Sequence, residues 1–476
     1  MPNLSRRNLL ALASAAAATT ALGPLLAPPV AEAQAIPPIP PNLLADAQTL
    51  LNSINNGFDF QNRMMDAYAT GSTVRLTQSY SDEAVGATAF TYDNAVAIHA
   101  YLAAGDTDDI ARAEVLGMGL LYAQANNFPI KDGRFAQAYF VNKPATDGSG
   151  AYITPAAAPY YFYGSAVGDQ AWAGMALAQL YRTTGNSRYL SGALLVANWI
   201  VANAYNTQGP GGYSFGTTIN SQNQSVPSTN GKSTEHNIDT YAFFTMLSTQ
   251  TQDGMAGNGM AWSALAAHAL TFVVAMFNAN GPYFYTGTLG DQVTTNTTPI
   301  PEDCQTWSYL AGLNALSQGT VDWALAHLQA TDTASAPHSS LTGSQTLRGL
   351  VFDTASLTTA ADDPQAVWLE GTAHTAAALV ARVLRGGEPL SSMLSDLTQA
   401  VQLLGQCVQA QVTFGTGKTV GGRAIPPGLG LVAATSVLDT GFGYTYGPSL
   451  HLGATGWYLI AALAANPFQL GYRVLG

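Results

Sequence analysis

Apolar residues recur at helical spacing along most of the chain, in blocks that come in pairs separated by short polar turns. TYDNAVAIHAYLAAGD, from Thr91 to Asp106, keeps a helical period, breaks at Gly105 and is followed by DIARAEVLGMGLLYAQANN. DQAWAGMALAQLYRTTGNSRYLSGALLVANWIVANA, from Asp169 to Ala204, holds two helical stretches around the turn TTGN. EHNIDTYAFFTMLSTQ pairs with AWSALAAHALTFVVAMF, and DCQTWSYLAGLNAL with VDWALAHLQA. WLEGTAHTAAALVARVL pairs with MLSDLTQAVQLLGQCVQ, and ATGWYLIAALAANPF closes the chain. The pattern predicts an all-α protein of about six helical hairpins, spaced too irregularly for a short-period repeat.

The first helix of each pair is preceded by, or opens with, a polar and aromatic cluster: TYDN, GDQAW, TEHNID, PEDCQTW, VWLEG and YGPSLHLGATGW. The second helices mostly lack one. Six first helices in an inner ring and six second helices in an outer ring would gather these clusters at one mouth. The long Gly- and Thr-rich connections NTQGPGGYSFGTTINSQNQ and TGTLGDQVTTNTTPIP would line the same mouth, where binding loops belong.

At these residues the chain resembles the six-hairpin, or (α/α)6-toroid, glycosidases. GDQAWAGMALAQLYRTTGNSRYL is similar to a hairpin of the unsaturated-glucuronyl-hydrolase type, in which Gln-x-Trp precedes a small-residue helix and Tyr-Arg-x-Thr-Gly. The resemblance implies a toroid fold and a carbohydrate substrate. Such toroids also house polysaccharide lyases, sugar epimerases and terpene cyclases, so the fold leaves the reaction open.

Composition narrows the partners. Of 476 residues, 47% are hydrophobic and only 10% charged, enough apolar surface for one large core or two ordinary ones. A formal net charge of −12 leaves no basic surface to neutralise phosphates, which argues against nucleic acid and anionic lipid. Near the start, Arg6 and Arg7 precede a short Ala-rich apolar segment, and Ala31-Glu32-Ala33 supplies an A-x-A-like cleavage site. Residues 1–33 resemble a twin-arginine export signal, too short and weakly apolar for a stable membrane span, with an uncleaved anchor as the alternative. Residues 34–44, containing IPPIPP, read as a linker and 45–476 as one catalytic toroid, periplasmic or secreted. The two cysteines, Cys304 and Cys407, are candidates for a disulfide or for two buried free thiols.

The candidate chemistry is carboxylate chemistry, with no metal or other cofactor expected. In KSTEHNIDTYAFF, Ile238, Ala242 and Met246 form a buried stripe, while Glu235 and Asp239 sit four apart on a bordering face. A Thr234 cap and a first-turn acid would explain Glu235, but neither needs Asp239, His236 or Asn237. Glu370 lies in a long apolar helix, where an ionisable group is costly unless paired or useful; Trp368 offers a stacking face and Gly371 allows a close approach. Glu302 and Asp303 form a second acidic pair before Trp307. Asp93 after Tyr92 and Asp169 before Trp172 read as caps or sugar-hydroxyl ligands, with Tyr446 and His451 completing the mouth.

Acids interleaved with aromatics suit a sugar, whose ring faces are apolar and whose hydroxyls pair with carboxylates. Hydrolysis of a glycosidic bond needs one carboxylic acid held protonated and one carboxylate to activate water or attack. Inverting enzymes hold the two roughly 6.5–9.5 Å apart. Glu235 reads as general acid and Glu370 as general base, with the reverse assignment open. A lyase using His236, Asn237 and Tyr444 or Tyr446 is the rival, but the only obvious loop arginines for a uronate are Arg134 and Arg423. A non-catalytic glycan-binding toroid would keep the aromatics without the acid pair. FGTGKT has Val412 where a phosphate-binding loop needs its first glycine, and GLGLVA near Gly428 lacks a βαβ context. His99, His268, His327 and His374, scattered singly, read as packed or surface histidines.

Overall fold

The computed structural model describes residues 41–157 and 164–472, so the export-signal reading and most of the linker lie outside the described residues. Twelve α-helices are described. They are α1 Pro41–Met65, α2 Thr91–Ala104, α3 Thr107–Ala125, α4 Val167–Thr184, α5 Ser187–Ala204 and α6 Thr234–Gln250. After them come α7 Trp262–Ala275, α8 Asp303–Leu310, α9 Asn314–His327, α10 Leu369–Arg385, α11 Leu390–Thr413 and α12 Leu452–Ala462.

Helices α2, α4, α6, α8, α10 and α12 pack each on the next and α12 on α2, a closed inner ring. Nearly every residue of α2 and α12 is buried, so these Ala- and Gly-rich helices are apolar all round rather than amphipathic. Small residues bring neighbours close: a Cβ on Gly174 of α4 would overlap the Phe243 ring of α6. Outer helices α3, α5, α7, α9 and α11 each cover the inner helix beside them in sequence. The sixth outer helix is α1, which packs on α12 through Ile54, Phe58 and their neighbours, so the two ends of the chain make the last hairpin.

Hairpin turns follow local chemistry. α2 and α4 end on Gly105 and Gly185, whose φ of 74° and 72° place them in the left-handed region that glycine adopts without penalty. The sequence pattern runs one helix from Asp303 through Leu316 and starts its partner at Val321; the structure instead breaks after Leu310. Gly312 at φ 93° and the bonds Gly312 N–H to Tyr309 O (3.0 Å) and Leu313 N–H to Ser308 O (3.0 Å) form a Schellman end, and α9 starts at once.

Short antiparallel strands sit just ahead of the inner helices: Thr88–Phe90 before α2 pairs with Ala138–Phe140, and Ser165–Ala166 before α4 pairs with Gly216–Ile219. The Gly/Thr-rich connections reach the same end, Thr234 N–H bonding to Thr286 O at the start of α6. The opposite end is plugged by the segment after α12. Its Phe468 packs on Trp172 and Trp307, Asn466 Nδ2 donates to Leu310 O (2.8 Å), and Gln179 of α4 bonds both Gln469 O and Gly471 N–H. Cys304 and Cys407 are free, buried thiols, and no helix among the described residues is long and apolar enough to cross a membrane.

Candidate active site

The inner helices all start at the open mouth, and their first turns carry the polar clusters. Glu370, in the first turn of α10 and 2% exposed, is the hub. Its Oε1 accepts the Tyr92 hydroxyl (2.5 Å), which itself accepts the Trp457 indole N–H (2.7 Å). His374, one turn along α10, places Nε2 3.7 Å from the same oxygen, and its Nδ1 lies 3.1 Å from Glu302 Oε2. Glu302 is itself fixed by Thr375 Oγ1 (2.7 Å). On the other side, His451 sits 3.5 Å from Glu370 Oε2 through Nδ1 and 3.2 Å from Asp93 Oδ2 through Nε2, with Tyr80 stacked on its ring. The cluster closes over Gly453, where a Cβ would stand 2.7 Å from Asp93 Oδ1, 2.8 Å from His451 Cε1 and 2.9 Å from Glu370 Oε2.

This packing sets the charge states. Burial pushes the Glu370 carboxyl up, but the neighbouring His374 and His451 and the Tyr92 hydroxyl together outweigh it and hold Glu370 below the ordinary range. Burial pulls His374 down, yet its hydrogen bond to Glu302 and the neighbouring Glu370 carboxylate raise it to about 9. His451, likewise opposed by burial, is raised by Asp93 and Glu370. Glu370 thus stands as a carboxylate between His374, an imidazolium, and His451, whose Nδ1 also accepts the Ala454 N–H (3.3 Å).

The facing wall behaves oppositely. Glu235, in the first turn of α6 and partly exposed, is pushed well above its ordinary range by burial and then by Asp303, Asp239, Asp169 and Glu370. Asp239, one turn deeper and 0% exposed, has neither carboxyl oxygen hydrogen-bonded, and burial with Asp303 raises it strongly. Asp169 on α4 is raised to about 8 by burial and by Asp93. Asp303 is raised to about 7 by burial and Glu302, against the pull of His374 and of the Cys304 N–H that bonds Oδ1 at 2.5 Å. One wall therefore favours protonated carboxyls where the other favours an ionised one.

Other predicted residues fall behind or beside this mouth. Trp172 and Trp307, with Trp457 and Phe468, form a mutually packed floor. Trp368 is buried and stacks parallel to Tyr446 at 6.2 Å, and its own indole fills the space over Gly371 that a ligand would need. Glu302 is buried behind His374. Asn237 spends its amide on the Tyr213 backbone (2.8 and 3.0 Å) and Ser233 O (2.8 Å). His236 packs against Gly168 and the Phe215 ring, and burial pulls it down to about 4. The α6 cap is Ser233, whose hydroxyl accepts the His236 N–H, while Thr234 donates its hydroxyl to Tyr285 O. Arg134 is clamped on Asp132, and Arg423 reaches Asp66 O.

Sequence reading passed over His374, Tyr80, Asp353 and Gly453. The i,i+4 spacing of Glu370 and His374 in LEGTAHT was the available signal. Asp353 is buried, its Oδ1 accepting the Ala355 and Ser356 N–H groups (2.8 and 2.9 Å), and burial raises it to about 7. Phe442 and Tyr444 stand at the rim, 45% and 50% exposed. Among the described residues no three His, Cys, Asp or Glu side chains are arranged to hold a metal ion.

No family model and no curated protein matches the chain. Solved structures do. A glycosidase variant in complex with glucose superposes with a TM-score of 0.55 at 13% identity, covering 92% of this chain and 100% of that one. An α-mannanase of glycoside hydrolase family 76 from Bacteroides thetaiotaomicron gives 0.52 at 13% identity, over 87% and 95% of the two chains. An α-amylase from Clostridium perfringens gives 0.50 at 9% identity, over 87% and 97%. At such identities the likeness is one of fold: the chain has the (α/α)6 toroid found in six-hairpin glycosidases.

Proposed function

We propose that this chain is an exported glycoside hydrolase acting on an oligo- or polysaccharide, with Glu235 as general acid and Glu370 as general base. The observation that carries the proposal is a pair of glutamates in the first turns of α6 and α10 whose surroundings shift them in opposite directions, Glu235 upward through burial and neighbouring acids and Glu370 downward through His374, His451 and Tyr92. Glu235 gives its proton to the leaving oxygen, and Glu370 takes one from the attacking water, the division of labour of an inverting enzyme. Asp169 and Tyr92, both partly exposed beside them, are placed to hold sugar hydroxyls. The glycosidases among the structural neighbours support the reading.

A lyase would use His236 and Asn237, but Asn237 is committed to the Tyr213 backbone and Arg134 to Asp132. The test is a polysaccharide panel with products identified by mass spectrometry and by ultraviolet absorbance. Saturated products are expected, with the new anomeric centre inverted in proton NMR. E235Q and E370Q should each lose about 10²–10⁴-fold in kcat while binding persists. Near-normal turnover in either variant removes that residue from the mechanism, unsaturated products would establish the lyase, and inertness with binding would mark a glycan-binding protein. For export, replacing Arg6 and Arg7 together by Lys should strand the protein in the cytoplasm; normal export of that variant refutes the signal reading.

A further inference from the structure

We infer that the sugar residue held between Glu235 and Glu370 is an uncharged one, carrying neither carboxylate nor sulfate nor a free amine. The inference rests on the glycoside hydrolase reading and adds the substrate class. It also runs against the sequence likeness of the α4 hairpin to enzymes that act on unsaturated glucuronyl residues.

The first support is where the positive charges go. At the mouth stand Asp93, Asp169, Glu235, Asp239, Asp303 and Glu370, and the charges acting on Asp169, Glu235 and Asp239 are one another's and those of Asp93, Asp303 and Glu370. His374 and His451 are each spent between two carboxylates, Glu302 with Glu370 and Asp93 with Glu370. The nearby cations are committed elsewhere. Lys232 is buried and donates Nζ to Gln208 O (2.6 Å) and Gly211 O (2.8 Å), Arg134 is clamped on Asp132, and Lys418 pairs with Asp82. Residues 158–163, which lead into α4, contain no Lys or Arg. A uronate or sulfate would enter facing acids with no cation free to meet it. Beside Glu370, two like charges about 4 Å apart at an effective dielectric near 20 would cost binding roughly 10³-fold.

The second support comes from the proton inventory, and it also excludes a cation. The mechanism needs Glu235 protonated and Glu370 ionised at once. An ammonium within about 4–6 Å lowers a carboxyl by about 1–3 units, which would pull Glu235 down against its role as acid. A bound carboxylate would do the reverse to Glu370, pushing it up against its role as base. An uncharged residue is the class that leaves both groups as the empty site sets them. Its apolar ring faces suit the rim, where Phe442 and Tyr444 are half exposed.

The test uses the full-length mature chain and matched glycans. An uncharged polysaccharide panel is set beside acidic polymers (polygalacturonate, alginate, hyaluronan) and beside chitosan. The uncharged polymer that is cleaved is then oxidised at C6 to its uronate form and assayed again. Cleavage confined to uncharged polymers, with a loss of about 10³-fold on C6 oxidation, is expected. Comparable turnover of the oxidised polymer, of any acidic polymer or of chitosan overturns the inference while leaving the hydrolase reading intact. Affinity electrophoresis in gels containing the same polymers covers the case in which nothing is cleaved. Retention by uncharged polymers alone then keeps the substrate class and removes the hydrolase; retention by acidic polymers or chitosan, or by none, removes the substrate class.

Discussion

Glu302→Gln is the sharpest probe of how the site sets its charges. Glu302 touches no open space; it accepts Thr375 Oγ1 through one oxygen and holds His374 through the other, and Gln can keep the first bond while losing the charge. Burial alone pulls His374 down, so its rise to about 9 depends on its two carboxylates. With one neutralised, His374 should drop to or below its ordinary value and be uncharged at pH 8. Glu370 feels that loss directly, since His374 Nε2 lies 3.7 Å from Oε1. At an effective dielectric near 20 that separation corresponds to about 4 kcal/mol, or about 3 pKa units, as the limiting effect on Glu370. The acid limb of kcat/KM, which titrates the base in the free enzyme, should therefore move up, by as much as about 3 units where burial takes His374 below Glu370 and by little where His374 stops near its ordinary value. A merely structural role for Glu302 would lower activity at every pH without moving that limb. Histidine NMR supplies a readout that needs no substrate: the His374 resonance should titrate near 9 in the native chain and well below 8 in E302Q. An unmoved resonance together with an unmoved acid limb refutes the argument.

Two further substitutions follow from the packing. Gly453→Ala should cost about 10²-fold in kcat with circular dichroism unchanged, because the added methyl displaces Asp93, His451 and Glu370 at once; full activity would show that the cluster tolerates movement. Asp353→Asn should flatten the pH dependence of stability: a carboxyl raised to about 7 holds its proton in the native state while the unfolded chain has lost it, so native stability falls as pH rises from about 4 through 7. Between pH 5 and pH 8 that loss is about 3 kcal/mol, measurable by urea unfolding, and equal pH dependence in both proteins would refute the assignment.

The ring itself was legible because each inner helix opens on polar residues that an apolar helix has no other reason to carry, and the ends at Gly105 and Gly185 were legible because glycine there adopts a left-handed conformation. Closure was not. α1 partners α12 from the far end of the chain, and its Asn- and Gln-rich surface hid the stripe containing Ile54 and Phe58. Within the mouth, residue type was legible but direction was not. A first-turn side chain can point along the axis or sideways into a loop, and only tertiary packing decides. Glu235 and Asn237 stand two apart in TEHNID, yet Glu235 faces the acids of the next helices while Asn237 pins the Tyr213 backbone. Gly371 shows the same limit, its empty side being filled by the Trp368 indole.

The toroid explains why so many carboxyls share one place. Six inner helices present their N-termini to the mouth, and the dipole there favours acids in the first turn, where Asp93, Asp169, Glu235, Asp303 and Glu370 all lie. That preference, worth about 0.3–1 kcal/mol per site, is too small to keep them all ionised once the ring closes over them. What separates their states is the placement of two histidines. His374 and His451 flank Glu370 and favour its charge, whereas burial and the neighbouring acids push Asp169 and Glu235 up, and Asp303 is raised to about 7 against the pull of His374. Moving one imidazole from the α10 side to the α6 side would exchange the roles of Glu235 and Glu370 on an unchanged backbone. On the proposed mechanism, the fold supplies the acids and the histidines decide which of them serves as base.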